Sequence, residues 1–459
     1  MKRRLSVLVA AGAFGLSVIA GGVAWTTPSL AHAAGDVTFP ASRAGRSAEA
    51  FVAMVNGKDD ASIRAFEKEF RADARRAEVP IEQRIPRVQG VRAEMAPLVV
   101  SRVVEGEEVV VYATTGGGQD VAVVMQMSSE QPDKVDGVVI MPAQEYRAPR
   151  RIDAAARGEI VEAVCGVLEK EYVYPDVAAQ MAAQVRGKLK SGAYDSISNE
   201  ARLTAALSND LRAISKDKHL NVAVTGQPLP TLDAQADVEE DEGEPSPEMD
   251  AEMARENYAF REVKRLDGNI GYLKFDMFVG SEKAEQTAAA AMTFLSHCDA
   301  LIVDLRENGG GDPRMIAFLT SYLFDSKVHL NDMVDRNGKV VKEYWTLDTV
   351  PGRRLRSDVP VFVLTSGYTF SGAEEFCYNL QNLGRALVIG EVTGGGAHPV
   401  KGVGARGHVA VRVPYMRACN PVSKTNWEGV GIQPDIKVAR ADALDRALEE
   451  ARKVLRQKK

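Results

Sequence analysis

The sequence predicts an α/β protein. Its largest part is a mainly parallel sheet, preceded by a helical bundle and by a small α+β domain. Three observations carry this. Between Ile270 and Gly390, apolar runs such as Ala300-Leu301-Ile302-Val303 and Val361-Phe362-Val363-Leu364 alternate with helical stretches, the pattern of strands buried on both faces. Between residues 150 and 225, apolar residues recur at helical spacing. Between residues 36 and 144, helical patterns come first and strand patterns follow.

The elements follow in order. Lys2, Arg3 and Arg4 precede an apolar run to about Trp25, and Ala31-His32-Ala33 is an A-x-A cleavage signature. Residues 1–33 therefore read as a signal peptide, glycine-interrupted at 12, 15, 21 and 22, with general export preferred to the twin-arginine route. In residues 36–144, Ala48–Val55 is an amphipathic helix closed by Asn56-Gly57, and a second helix covers about Asp60 to Arg76. Strand patterns at Glu108–Ala113 and Asp120–Met125 flank Gly116-Gly117-Gly118, a hairpin signal, and Val135–Ile140 adds a strand. This order is similar in pattern to cystatin-like or nuclear-transport-factor-like accessory domains. It holds no titratable cluster, so an adapter or steric role is expected.

Residues 150–225 carry three apolar faces, at Ile160/Val164/Val167/Leu168, Val177/Met181/Val185/Leu189 and Leu203/Leu207/Leu211. Tyr172-Val173-Tyr174-Pro175 separates the first two helices. Residues 226–256 read as an acidic linker: Asp233 to Glu256 holds eleven carboxylates and one cation, Arg255. Residues 257–445 form the α/β core. Asp312 is placed to cap a helix with Pro313 at its first position, and the tail from Ala441 reads as a charged helix.

Composition narrows the function. Of 459 residues, 45% are hydrophobic and 26% charged, and the net charge is −6, which becomes −9 without the leader. A nucleic-acid binder needs the opposite balance. The expectation is an exported, secreted or periplasmic protein with no membrane association after cleavage. Four cysteines (165, 298, 377 and 419) are too few for a disulfide scaffold, and three full pairings are open to them.

Chemistry in open α/β sheets collects where strand C-termini meet helix N-termini. Leu305-Arg306-Glu307-Asn308-Gly309-Gly310-Gly311-Asp312 is one such crossing; it lacks the Walker spacing and lysine of a phosphate loop. Thr365–Phe376 is the other, with Ser371 between strand and helix, where a helix N-terminus favours an oxyanion. Ser371-x-x-Glu374 is also a capping box, and from spacing alone the cap, in which the serine only satisfies backbone amides, is the favoured reading. Of six histidines, His219 and His398 lie in loops and are the candidate bases, and Glu428 is a candidate orienting carboxylate. Cys377 and Cys419 are weaker nucleophile candidates, with no base marked nearby.

Several ordered motifs are similar to those of the tail-specific, or carboxy-terminal processing, serine peptidases, in the branch shared with interphotoreceptor retinoid-binding protein. They are Gly268-Asn269-Ile270-Gly271-Tyr272-Leu273; Asp304-Leu305-Arg306-x-Asn308-x-Gly310-Gly311; Thr365-Ser366-x-x-Thr369-x-Ser371-x-Ala373-Glu374; Gly390-Glu391-x-Thr393-x-Gly395-Gly396-Ala397-His398-Pro399; and Asn420-Pro421 with Trp427-Glu428-Gly429-Val430-Gly431. Asp217-Lys218-His219 is similar to the D-x-H element of the same family.

The resemblance spans about residues 150–445 and implies a crotonase/Clp-like ββα core. It implies Ser371 as nucleophile, His219 as base, Glu428 as the carboxylate partner of that base, and the amides of Gly310 and Gly372 as oxyanion hole, with His398 in reserve as base or substrate contact. The lysine of the Ser-Lys branch is absent, since Gly394-Gly395-Gly396-Ala397 stands in its place, and Lys218 replaces the serine that can precede the histidine. The PDZ domain of many relatives is not expected here, since only the acidic linker separates the helical part from the core. The implied function is a serine endopeptidase for exposed or unstructured polypeptide, needing neither cofactor nor metal. The alternative is a non-catalytic carrier of lipid- or retinoid-like ligands on the same fold.

Overall fold

The computed structural model describes residues 16–18, 37–78, 81–106, 108–128, 131, 133–144, 146, 150–232 and 247–457. They fall into two compact units, Met1–Ala148 and Pro149–Lys459.

In the first unit, helices α1 (Arg43–Asn56), α2 (Asp60–Glu69), α3 (Asp73–Glu78) and α4 (Ile81–Met95) accompany one sheet. Its strands are β1 (Leu16–Val18), β2 (Val99–Glu105), β3 (Glu108–Thr114), β4 (Asp120–Met127) and β5 (Val135–Pro142), in the order β1-β5-β4-β3-β2. Ser42 caps α1 by accepting from the Gly45 amide at 2.8 Å. The apolar face of α1, Ala48, Phe51, Val52 and Val55, packs on Val109, Val111, Val123 and Met125 of the sheet. The hairpin expected around Gly116–Gly118 forms between β3 and β4. The single helix expected over 60–76 is two: the Ala72 amide donates to Val135 O and the Val135 amide to Phe70 O, so β5 takes the hydrogen bonds that would continue the helix. Leu16–Val18, inside the stretch read as a leader, pairs in parallel with β5; the remainder of 1–33 lies outside the described residues.

The second unit begins with α5 (Ala154–Glu171), α6 (Pro175–Lys190) and α7 (Glu200–Ser215), followed by β6 (Asn221–Val224). Asp153 and Asn199 cap α5 and α7 through their side chains, and Pro175 opens α6. The end of the segment read as a linker is helical, α8 (Pro247–Arg255). Met253 packs on the core, and Asp250 takes a hydrogen bond from Tyr258 at 3.1 Å and an ion pair from Lys283, anchors that outweigh the local charge repulsion. Residues 233–246 of that segment lie outside the described residues.

The core contains β7 (Phe260–Leu266), β8 (Ile270–Phe275), α9 (Glu282–Leu295), β9 (Ala300–Asp304), α10 (Pro313–Ser321), β10 (His329–Asp335), β11 (Val340–Trp345), β12 (Val361–Thr365), α11 (Gly372–Asn382) and β13 (Ala386–Gly390). It continues with β14 (Val400–Arg406), β15 (Val409–Pro414), β16 (Met416–Cys419), β17 (Ile436–Lys437) and α12 (Ala443–Gln457). The six-stranded sheet runs β17-β13-β12-β9-β8-β7, parallel throughout except for the β7–β8 pair. Alternation sends Leu301, Val303, Val361 and Val363 to one face, with residues of α9, α10 and α11, and Ala300, Ile302, Phe362 and Leu364 to the other, under Ala443, Ala447 and Ala451 of α12.

The helical stretch and the core, expected as separate domains, share one compact unit. Strand β6 pairs antiparallel with β15, matching Val222 to Val411. The bundle closes over Val403, Val409, Val411 and Val413 in a single apolar cluster. Valines at alternate positions of the β14–β15 hairpin need cover, and the helices supply it.

Candidate active site

Strands β9 and β12 are adjacent and parallel, so the loops at their C-terminal ends meet. The motif residues between them are largely scaffolding. Tyr272 donates to Asp304 Oδ2 at 2.6 Å, and Arg306 holds the same carboxylate at 2.6 and 2.9 Å. Asn308, fully buried, donates to Phe275 O at 3.0 Å and accepts from the Gly310 amide at 2.9 Å. Thr369 Oγ1 donates to Leu305 O at 2.8 Å, and Ser366 Oγ to Arg306 O at 2.6 Å, stitching the second loop to the first.

Ser371 tops this arrangement, half-buried, at the N-terminus of α11. Its φ of 53° and ψ of −121° fall outside the ordinary allowed regions for a residue with a Cβ, a cost of about 1–3 kcal/mol. The capping residues Ser42, Asn199 and Ser281 of this chain have negative φ, at −62°, −141° and −145°, in the extended region. A cap therefore needs no such distortion.

The Gly372 amide belongs to the first turn of α11, where the helix offers no acceptor of its own. Gly310 approaches so closely that a Cβ on it would stand 2.8 Å from the Gly372 nitrogen and from Ser371 Cβ, and its φ is 110°. Its amide, however, is engaged by Asn308. The Gly311 nitrogen lies 2.9 Å from where a Cβ on Gly372 would stand, a neighbour that sequence reasoning did not single out.

His219 follows α7, which ends at Lys216 in the left-handed conformation (φ 57°). Asp217 Oδ1 accepts the His219 amide at 2.9 Å and fixes this turn. The imidazole is 7% exposed and lies against the ring of Phe370, the residue before Ser371, at 4.7 Å between centroids. A Cβ on Gly396 would stand 2.5 Å from His219 Cε1, so this glycine makes room for the ring. Burial lowers the His219 pKa to about 4, which keeps the ring neutral at ordinary pH. Among the described residues no hydrogen bond joins His219 to Ser371, and His219 Nδ1 is buried without a partner.

The expected pairing of Glu428 with His219 is not made. Glu428 Oε2 lies 3.5 Å from His398 Nδ1 and accepts the Ala397 amide at 2.5 Å. His398 Nδ1 is 2.6 Å from Asp217 Oδ2, and its Nε2 is 3.5 Å from Tyr174 Oη. Tyr172 Oη donates to Asp217 Oδ2 at 3.3 Å. The D-x-H spacing of Asp217 and His219 was the signal for this. Its aspartate bridges two loops, holding the His219 backbone with one oxygen and the His398 ring with the other. Burial opposes a charge on His398, but the Asp217 hydrogen bond and the Glu428 and Asp217 charges together raise its pKa. Burial pushes Glu428 up to about 7, against the pull of His398.

Asp217, His398 and Glu428 each offer one ligand atom within 4.8 Å of the others. Two ligands on one tetrahedral zinc ion stand about 3.3 Å apart. The 2.6 Å between Asp217 and His398 is a hydrogen-bonded ion pair. The four described cysteines are unpaired, and Cys377, fully buried inside α11, has its thiol pKa raised by burial, which removes it as a nucleophile.

Residues 269–438 match peptidase family S41, and residues 154–263 match the N-terminal domain of Peptidase_S41 in eukaryotic IRBP. Among solved structures, a protein from Parabacteroides merdae assigned as a peptidase is 21% identical, covering 64% of this chain and 96% of its own, with a TM-score of 0.46. The photosystem II D1 C-terminal processing protease is 16% identical over 64% of this chain and 97% of its own, with a TM-score of 0.41. The tricorn protease is 13% identical over 77% of this chain and 42% of its own, with a TM-score of 0.39.

Proposed function

This chain belongs to peptidase family S41 and is a serine-type peptidase, and from that premise we propose that it is an exported endopeptidase cleaving exposed or unstructured polypeptide, with Ser371 as nucleophile and His219 as general base. The observation that carries the assignment is the Ser371 backbone, held at φ 53° at the tip of a helix where other caps of this chain are relaxed. Strain of this kind at a strand-to-helix turn lifts a hydroxyl clear of the backbone, as at a nucleophile elbow.

In this reading the Ser371 hydroxyl attacks the scissile carbonyl carbon and passes its proton to neutral His219. The resulting oxyanion is stabilised by the Gly372 amide, in the positive field of α11. Protonated His219 then delivers the proton to the departing amine, and water hydrolyses the acyl-enzyme by the reverse sequence. His219 supports the role of base by its neutrality and by its position over Phe370. Catalytic hydrogen bonds often tighten only when substrate binds, and the Ser371–His219 pair is expected to close at that step. Both nitrogens of His398 face partners already. Glu428 then acts through His398 and the Ala397 amide to hold the loop over the site, in place of orienting the base directly.

Export rests on the leader pattern at residues 1–33. No helix among the described residues is long and apolar enough to cross a membrane. The experiment is digestion of an unfolded protein library by wild type and by Ser371→Ala. Wild type should generate new internal termini and the variant none; fragmentation by the variant at the wild-type rate overturns the assignment.

A further inference from the structure

We propose that Glu374 is a positioning residue that locks the Ser371 turn to the loop at residues 393–396, so that the nucleophile and the surface beneath His219 keep one geometry; this rests on Ser371 being the nucleophile. Glu374 is fully buried at the first turn of α11. Its Oε2 accepts the Ser371 amide at 2.8 Å and the Gly396 amide at 2.9 Å. Its Oε1 accepts Thr393 Oγ1 at 2.5 Å and the Gly395 amide at 2.7 Å. Two oxygens thus take four donors, the full complement of a carboxylate.

A capping box requires only the first of these bonds. The other three come from a segment some twenty residues further along the chain, and they extend the lock. Thr393 Oγ1 also accepts the Ile432 amide at 2.7 Å, and Gly396 O accepts from Trp427 Nε1 at 2.7 Å. Gly396 is in turn the residue against which His219 Cε1 and Phe370 pack. Displacing this loop moves the bed of the base relative to the nucleophile, while Glu374 itself touches no substrate. A buried carboxylate with no such network would be costly, and a helix cap alone would not call for one.

Glu374→Gln keeps the side chain's size but turns one acceptor into a donor facing two donors. A misplacement on the order of 1 Å can cost about 100-fold in rate. The variant should therefore lose about 100-fold in kcat, and equally in the rate at which a fluorophosphonate labels Ser371, with KM for a short peptide held within about threefold. Thr393→Val, which removes one donor and one acceptor, should lose about tenfold in kcat, and Thr393→Ser, which keeps the hydroxyl, should restore it. Rates are taken per folded molecule, from the cooperative unfolding curve of each variant. A merely structural role would lower the folded fraction and leave kcat per folded molecule unchanged, and that result overturns the proposal. Should Glu374→Gln fail to fold, the Thr393 pair decides, and a Thr393→Val enzyme with wild-type kcat overturns it. An inactive Ser371→Ala beside fully active Glu374→Gln and Thr393→Val sinks the lock alone, whereas an active Ser371→Ala sinks the nucleophile assignment beneath it.

Discussion

At the residue scale, the candidate site divides into atoms meant for substrate and atoms that hold those in place. Replacing Ser371 by Ala removes the attacking oxygen, so peptide hydrolysis should vanish. The fold should lose no more than about 1 kcal/mol, the worth of a cap, as read by denaturant unfolding. The two histidines should separate by the same pair of measurements. His219 has an unpartnered Nδ1, so His219→Ala should stay folded and lose about 10³-fold in kcat. His398→Ala leaves Asp217 buried without its ion-pair partner and should cost about 3–5 kcal/mol of stability. A stable His398→Ala that is inactive, beside an active His219→Ala, would move the role of base to His398. The His219 ring, lowered to about 4, is charged only below that pH, so its NMR titration should show the neutral form throughout pH 5–8. A limb near pH 7 on which the rate rises with pH belongs to ionisation of Glu428 or Glu374, both pushed by burial up to about 7, and should disappear in Glu428→Gln or Glu374→Gln, whose amides do not titrate. Ser371, His219, His398 and Glu428 were all legible as residue types at motif spacing. Which carboxylate faces which imidazole was not legible, because that depends on side-chain directions across segments some 180 residues apart.

At the scale of elements, the site depends on how a helical segment is fastened to the sheet. The three helices of 154–215 and the β–α alternation of the core followed from periodicity, because each buries one continuous apolar stripe or a wholly apolar strand. Less regular elements escaped. Helix α4 contains Pro86, and strand β2 is an edge strand whose residues are mostly exposed, so neither carries a strong pattern. The joining of β6 to β15 is long-range and leaves no local signal. That seam positions His219 through its neighbour Leu220, which is fully buried in the cluster shared by helices and hairpin. Leu220→Ala should destabilise the second unit by about 2–5 kcal/mol, measured as a lowered denaturant midpoint. It should also lower kcat per folded molecule, since the loop bearing the base loses its anchor. Unchanged turnover in a measurably destabilised variant would show that the seam only stabilises.

At the scale of the whole molecule, every residue assigned to the site lies in the second compact unit, Pro149–Lys459. A chain beginning at Arg147 should fold and hydrolyse a short unstructured peptide with kcat/KM within about threefold of the full-length protein. Loss of activity in that folded truncation would give residues 36–144 a part in building the cleft. The central claim is that Ser371, served by His219, is the nucleophile of a serine peptidase. The most direct test is fluorophosphonate labelling followed by peptide mapping. A single covalent adduct should appear on Ser371 in the wild type, be absent from Ser371→Ala, and form far more slowly in His219→Ala. An adduct on any other residue, or labelling of Ser371→Ala at the wild-type rate, would contradict the account.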